Sequence, residues 1–360
     1  MKKTLTLFLI FILAVALAGC SDNTQSADYS SDIKFDFSTQ AMQYLNEIGT
    51  DYTQREIEGE HSKDHDSCAE WIVRELKEAG YTDKEILIDD FELYDHRSKN
   101  IVVTVEGKNP NKQIIVGAHY DGTGVGDNGS GVALLLANAC GLRNEKPDVT
   151  VKYVFFDGEE TGFLGSHHFA GNMSKDEIKN TLFMINIDSI AFGDYCNVYG
   201  GVTKGSRAKD TAGYELAMDR AEQLGIKAYR TEALDGFYDE NGHQPEIKEN
   251  ALYSNPWTKK HPTPEGYTEY ISPSTGAWSD HQAFVNKDIT YIYFEAGNWY
   301  MGDLYDGSVE TSDTDIGENG TIMNTEYDTL DNLTKYFPYR AESHFKVYSP
   351  LLSSLVLHPE

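Results

Sequence analysis

Residues 149–161, VTVKYVFFDGEET, run through β-branched and aromatic residues and then break off at Asp157, Gly158, Glu159 and Glu160. A run that is apolar along most of its length and closed by Asp-Gly predicts a strand buried on both faces, as in a parallel sheet flanked by helices. It also sets two adjacent carboxylates where that strand surfaces. An acidic turn facing water accounts for such a pair on its own, so the role of Glu159 and Glu160 depends on what else the chain brings to the same place.

Working outward, QIIVGAHYD (113–121) is a second nearly continuous apolar run, preceded by the alternating segments EILIDDFEL (85–93) and NIVVTVEG (100–107). Helical periodicity marks STQAMQYLNEIG (38–49), with Ala41, Leu45 and Ile48 on one face. It also marks DSCAEWIVRELKEAGY (66–81), where Ser67 and Glu70 have capping-box spacing, Ala69, Ile72, Val73 and Leu76 form a stripe, and Gly80 ends the helix. Downstream come a helix in SGVALLLANACGL (130–142), a short helix near GSHHFAGNM (165–173), a strand in TLFMINIDSIA (181–191), a helix in SRAKDTAGYELAMDRAEQLG (206–225) and a strand in ITYIYFEAG (289–297). A closing helix fits ESHFKVYSPLLSSLVL (342–357), with Pro350 expected to kink or restart it. The alternation predicts an α/β fold: one domain over residues 36–360 with a central mixed, largely parallel sheet and helices on both faces. Residues 228–278, rich in Tyr, Trp, Pro, Gly and Asn, and the acidic stretch 306–320 read as loops; DGSVETSDTD lacks the spacing of a calcium loop and is assigned no ion.

Lys and Arg total 30 against 58 Asp and Glu, a formal charge of −28. That sign opposes nucleic acid and bare anionic lipid as partners and favours cations, metals included. An apolar fraction of 40% is ample for a sizeable core. The start, MKKTLTLFLIFILAVALAGCSDN, has a basic end, an apolar stretch from Leu5 to Leu17 and small residues before Cys20, and reads as an export signal over residues 1–19. LAGC resembles the lipobox of bacterial lipoproteins, which implies cleavage before Cys20, its acylation, and contact with a membrane through that anchor only. An uncleaved anchor helix is the alternative, but the run is short for a bilayer span. Residues 20–35 then read as a polar tether. Cys68, Cys140 and Cys196 lack zinc-finger spacing and suggest no thiolate site, although one disulfide stays possible after export.

Metal-ligand residue types recur where the apolar strands end. His119 and Asp121 close QIIVGAHYD, Asp127 opens the turn GDNGSG into a helix, Glu159 and Glu160 follow the next strand, Asp188 ends TLFMINID, and His281 lies in WSDHQAF before the last strand. In open α/β sheets ligands bind outside the carboxyl ends of the strands, so residues far apart in sequence converge there. Each taken singly has a structural reading, a hydrogen-bonded His or a helix N-cap. Jointly, two histidines and this many carboxylates suit zinc and suffice for two ions with a shared ligand.

GAHYDG, GDNGSGVALLL, FFDGEETGFLGS, INIDSIA and WSDHQAF stand in an order and at intervals that resemble the dinuclear-zinc aminopeptidases of the bacterial leucyl aminopeptidase and aminopeptidase Y type. The resemblance spans residue 65 to the C-terminus. It implies an exopeptidase with two zinc ions, acting on peptides: His119 and Asp188 on one ion, Glu160 and His281 on the other, Asp127 bridging, Glu159 as general base, and Asp121 orienting the imidazole of His119 from the same strand face. Neighbouring residues project differently, so Glu160 is free to bind metal while Glu159 stays available to move a proton. Family members with carboxypeptidase activity carry large inserted domains, for which this chain has little room before His119. Two alternatives remain. Glutaminyl cyclases share an FFDGEE-like segment and use one zinc on the positions of Asp127, Glu160 and His281, and receptor ectodomains share the fold without the ligands. One departure from the family stands at NTEYDTLDN (324–332), where Asp328 and Thr329 persist but Asn324 replaces the usual His of a His-Thr-Pro segment. Tyr253, Trp257, Tyr267, Tyr270, Trp278, Trp299, Tyr300 and Met301 are candidates for an apolar specificity pocket, equally readable as loop packing; such a pocket predicts large hydrophobic N-terminal residues.

Overall fold

The structure is a computed structural model, and it describes residues 28–93, 95–201, 203–204, 207–208, 212–230, 250–254, 261–262, 268–269, 278–298, 310–313, 315–317 and 320–360. One sheet contains nine strands: β1 (Ile86–Leu93), β2 (His96–Val105), β3 (Asn109–His119), β4 (Val149–Phe156), β5 (Thr181–Ile187), β6 (Tyr195–Gly201), β7 (Lys227–Tyr229), β8 (Ala251–Ser254) and β9 (Tyr291–Gly297), in the spatial order β1-β2-β4-β3-β5-β9-β6-β8-β7. The central run β4-β3-β5-β9 is parallel throughout, as are β6-β8-β7, while β1-β2, β2-β4 and β9-β6 pair antiparallel. The sheet is therefore mixed and largely parallel.

Alternation along the central strands decides which core each residue joins. Ile114 and Val116 of β3, with Val151, Tyr153 and Phe155 of β4, belong to the larger core beneath α1 (Ser38–Asp51), α2 (His65–Glu78), α3 (Gly129–Gly141), α6 (Ala212–Gln223) and α9 (Arg340–Leu357). Ile115, Val154 and Phe156 point the other way, to a core with α4 (Leu164–Asn172), α5 (Lys175–Asn180) and α7 (His281–Val285). Both faces are covered, which is why these strands read as continuous apolar runs, and each large side chain so buried stabilises the fold by about 1.5–3 kcal/mol. α3 packs against α1, α2 and α9 as well as the sheet, so its residues from Gly129 to Ala139 are buried and its sequence carries no polar face.

Several elements differ from the sequence reading. α2 starts at His65 with Asp64 as N-cap, and Ser67 donates to the Asp64 carbonyl at 3.0 Å, so the Ser67/Glu70 box is not formed. A capping box does open α5, between Ser174 and Glu177. α6 begins at Ala212; Arg207–Ala208 upstream pairs as a short strand with Thr203–Lys204. α9 runs as one helix through Pro350. The short helix α8 (Leu330–Tyr336) precedes it, capped by Thr329, whose hydroxyl accepts from the Asn332 N–H. Residues 28–35, expected as the end of a tether, are instead docked: Ser354 donates to buried Asp32 at 2.8 Å, Tyr29 stacks on His358, and the Arg220 guanidinium lies over the Tyr29 ring. Cys68, Cys140 and Cys196 are free thiols. Residues 1–27, with Cys20, most of the expected loop region 228–278 and part of 306–320 lie outside the described residues.

Candidate metal centre

Because β4, β3, β5 and β9 are parallel neighbours, their carboxyl ends share one edge of the sheet. His119 is the last residue of β3, Asp188 follows β5, and the Glu159–Glu160 pair follows β4. His119 Nε2 lies 3.2 Å from Asp127 Oδ1, 3.4 Å from Asp188 Oδ1 and 3.9 Å from Glu159 Oε2. Among the described residues two sets bring ligand atoms within 4.8 Å of one another: His119 with Glu159 and Asp188, and His119 with Asp127 and Glu160. His281 belongs to neither set. It opens α7 with its ring against Tyr291 and Tyr293 of β9, centroids 4.6 and 4.7 Å away, and its Nδ1 is 3.4 Å from Asn186 Nδ2.

The electrostatics of this cluster call for a cation. Burial works against charge on His119, but the carboxylates of Glu159 and Asp188 outweigh it and hold the imidazole well above its usual range. Burial pushes Glu159 up to about 11 against the pull of His119, with Asp188, Asp280 and Asp127 adding to the rise. Burial and the charge of Asp127 push Glu160 to about 8, and burial with Asp188 raises Asp127. Asp188 alone is lowered: burial opposes this, but His119 and the hydroxyls of Ser279 and Ser189 prevail. Neither ring nitrogen of His119 has a hydrogen-bond partner, although both are buried among acids. An imidazole with unmade bonds facing three carboxylate oxygens fits a nitrogen-and-oxygen site for a divalent ion such as zinc.

The surrounding residues fix this geometry. Asp121 lies 3.4 Å from His119 Nδ1 and accepts the backbone N–H groups of both Glu159 (3.1 Å) and Glu160 (3.2 Å), so one carboxylate sets the acidic turn against the imidazole. Gly122, at φ +99, keeps the chain close to Glu160: a Cβ there would stand 3.0 Å from Oε1 of that side chain. Asn128 caps α3 by accepting the Gly131 N–H and donates to the Ile187 carbonyl, which ties the Asp127 turn to the end of β5. Ser279 receives from Asn186 at 2.8 Å and donates to Asp188 at 2.6 Å. Beneath the turn, buried Asp157 accepts from Tyr120 (2.8 Å) and Ser98 and pairs with His65 at 2.9 Å.

A cavity of about 300 Å³ opens over the centre, lined by Asp127, Glu159, Glu160, Asp188, Trp278 and Tyr293 and also by Glu295, Met323 and Asn324. Of the proposed specificity aromatics, Trp278 stands at this cavity, while Tyr253 of β8 is buried against Tyr195 and Tyr229. Trp257, Tyr267, Tyr270, Trp299, Tyr300 and Met301 lie outside the described residues. Sequence reasoning missed Glu295, Asp280 and Asp157. Glu295 did leave a signal, as the one charged residue inside the apolar run of the last strand.

The sequence model of peptidase family M28 matches residues 100–342. The alkaline phosphatase isozyme conversion protein of Escherichia coli (strain K12) is 25% identical over 320 residues, 80% of this chain and 82% of that protein. An aminopeptidase of Pseudomonas aeruginosa is 36% identical over 107 residues, 28% of this chain and 20% of its own length. The chain thus spans about four-fifths of the first relative and one-fifth of the second. Two solved structures share the fold: a Zn-dependent exopeptidase from Parabacteroides distasonis, with a TM-score of 0.56, 17% identity and coverage of 89% of this chain and 98% of that one, and a glutaminyl cyclase from Macrostomum lignano, with 0.60, 16%, 93% and 94%.

Proposed function

The chain belongs to peptidase family M28, and we propose that it is a zinc aminopeptidase that hydrolyses N-terminal residues from peptides. The observation that carries this reading is the convergence of His119 with Asp127, Glu159 and Asp188 at the ends of adjacent parallel strands. In the proposal two zinc ions are held, with His119, Asp127, Asp188 and Glu160 as ligands; His281 enters through the likeness of WSDHQAF alone. Bound zinc supplies Lewis acidity toward the scissile carbonyl and favours ionised water at neutral pH. Glu159 takes the proton of the attacking water and returns it to the leaving amine, a role suited to a carboxylate on the cavity wall beside His119 that is not needed as a ligand. Asp121 keeps His119 and the acidic turn in register.

Purified protein should hydrolyse aminoacyl 4-nitroanilides, lose that activity to a chelator and regain it with zinc. Absence of turnover in zinc-loaded protein refutes the reading. The cyclase reading shares the fold, and it predicts one ion and cyclisation of an N-terminal glutamine peptide. His119 and Asp188 standing beside Asp127 favour the two-ion hydrolase. We further propose export and lipid anchoring at Cys20. Among the described residues no helix is long and apolar enough to cross a membrane. Replacing Cys20 with Ala should move the protein from the membrane fraction to the soluble one.

A further inference from the structure

Asp157 directly follows β4, and the chain then turns at Gly158, φ +73, into Glu159 and Glu160. Its carboxylate is buried on the α2 side of the sheet, where His65, the first residue of that helix, donates from Nε2 to Oδ1 at 2.9 Å and to Oδ2 at 3.0 Å. Oδ2 also takes the hydroxyls of Ser98 and Tyr120, the latter at 2.8 Å, and the Lys99 N–H at 3.3 Å. The backbone of Asp157 is held as well: its N–H donates to Asn100 Oδ1 at 3.2 Å, and its carbonyl accepts the Gly165 N–H at 2.8 Å. Every atom that decides where the chain leaves β4 is thus bonded before the acidic turn begins.

Tyr120 stands between His119 and Asp121 in the chain, so the carboxyl ends of β3 and β4 are braced twice. Asp121 accepts the N–H groups of Glu159 and Glu160, and Tyr120, whose side chain points to the other face of the strand, bonds Asp157. Among the described residues His65 is the one cation-forming side chain that bonds Asp157, and its ring stacks on Tyr120 with centroids 5.5 Å apart. Burial opposes charge on His65, but the hydrogen bond and charge of Asp157, with the charges of Asp121 and Asp66, prevail and hold the imidazole above its usual range. A buried carboxylate stripped of its cation must take up a proton or turn away from its neutral donors. Either change loosens the bonds from Tyr120 and Ser98.

We propose that His65, which is not among the residues lining the metal cavity, is a positioning residue: through Asp157 and Tyr120 it sets where Glu159 and Glu160 stand relative to His119. The proposal rests on the zinc aminopeptidase reading, and it adds the start of α2 to the elements that build the centre.

The test compares wild type with His65→Phe, which keeps a ring against Tyr120 but removes the donor, and with His65→Gln, whose amide N–H replaces it. Each protein is loaded with cobalt as well as with zinc, because visible cobalt absorption reports ligand geometry without a substrate. In zinc-saturated protein, kcat on leucyl 4-nitroanilide should fall by about 10- to 100-fold in His65→Phe with KM within about threefold, and His65→Gln should recover most of the loss. The cobalt band should shift in His65→Phe and return to the wild-type position in His65→Gln. Tyr120→Phe removes a donor from the same carboxylate, so in the double variant its effect on kcat should not add to that of His65→Phe. A lowered Tm with wild-type kcat and an unshifted cobalt band would mean that His65 only packs α2, which overturns the proposal, as does full additivity in the double variant. Should His65→Phe not fold, His65→Asn, whose amide falls short of Asp157, carries the same comparison. Absence of turnover in wild type would count against the aminopeptidase reading instead, and the cobalt spectra would still decide the role of His65.

Discussion

Asp328 Oδ2 accepts a hydrogen bond from the backbone N–H of Asp127 at 2.9 Å, across 201 residues of chain. Its other oxygen takes the Gly126 N–H at 2.6 Å, so a single buried carboxylate clamps the turn that aims Asp127 at His119. Burial pushes Asp328 to about 7, with its two backbone hydrogen bonds opposing the rise and the charge of Asp127 adding to it. Asp328→Ala should leave the turn without its anchor and weaken zinc binding or turnover by about 10- to 100-fold. Zinc affinity by competition with a chromophoric chelator, read beside kcat, checks this; wild-type values for both would show that the clamp is dispensable.

Glu159→Gln keeps the size of the side chain and its place over the cavity but removes the proton acceptor. Turnover should fall by about 10²–10⁴-fold while zinc content stays at the wild-type level. A variant retaining near-normal kcat would mean that another group carries the proton.

The sheet was legible because its central strands are buried on both faces and read as unbroken apolar runs, and the strand-end acids were legible because each interrupts such a run. What escaped has physical causes. β6, YCNVYGG, is short and glycine-containing and depends on β9 and β8 for its pairing. The α2 start was misplaced because Asp64 precedes a Ser–Glu spacing that looks like a cap. Residues 29–34 look like linker in composition, yet Asp32 finds Ser354 only once α9 exists. Asp157 was passed over as part of an acidic turn; its partners His65, Ser98 and Tyr120 come from three other segments, a convergence invisible in local pattern.

His281 separates the sequence reading from the geometry most sharply. WSDHQAF implies a zinc ligand, whereas the imidazole sits against Tyr291 and Tyr293 with Nδ1 toward Asn186. If the ring binds the second ion, His281→Ala should lower zinc content from two ions per chain to one and reduce kcat at least tenfold. Unchanged stoichiometry would place the residue in the packing beneath the cavity. Elemental analysis of the purified variant distinguishes these outcomes.

Removal of metal should make stability fall as pH rises. Folding raises Glu160 and Glu295 to about 8 and Asp280 and Asp328 to about 7, chiefly by burial, from ordinary carboxyl values of 4.5 and 3.8. Through the window between those limits the folded, metal-free protein holds protons that the unfolded chain has released, so each added pH unit favours unfolding. His119 acts in the same direction: burial opposes its charge, Glu159 and Asp188 prevail, and the stability from its raised folded value is full below 6.5 and lost as pH climbs through that raised value. Zinc needs deprotonated ligands and supplies the missing positive charge, so its stabilisation grows over the same range. Chelated protein should therefore show a lower Tm at about pH 8 than at about pH 5.5, and the Tm gained on adding zinc should be larger at the higher pH. Calorimetric scans at the two values with and without zinc measure both terms, and a chelated Tm that rises with pH would contradict a centre built from buried, uncompensated acids.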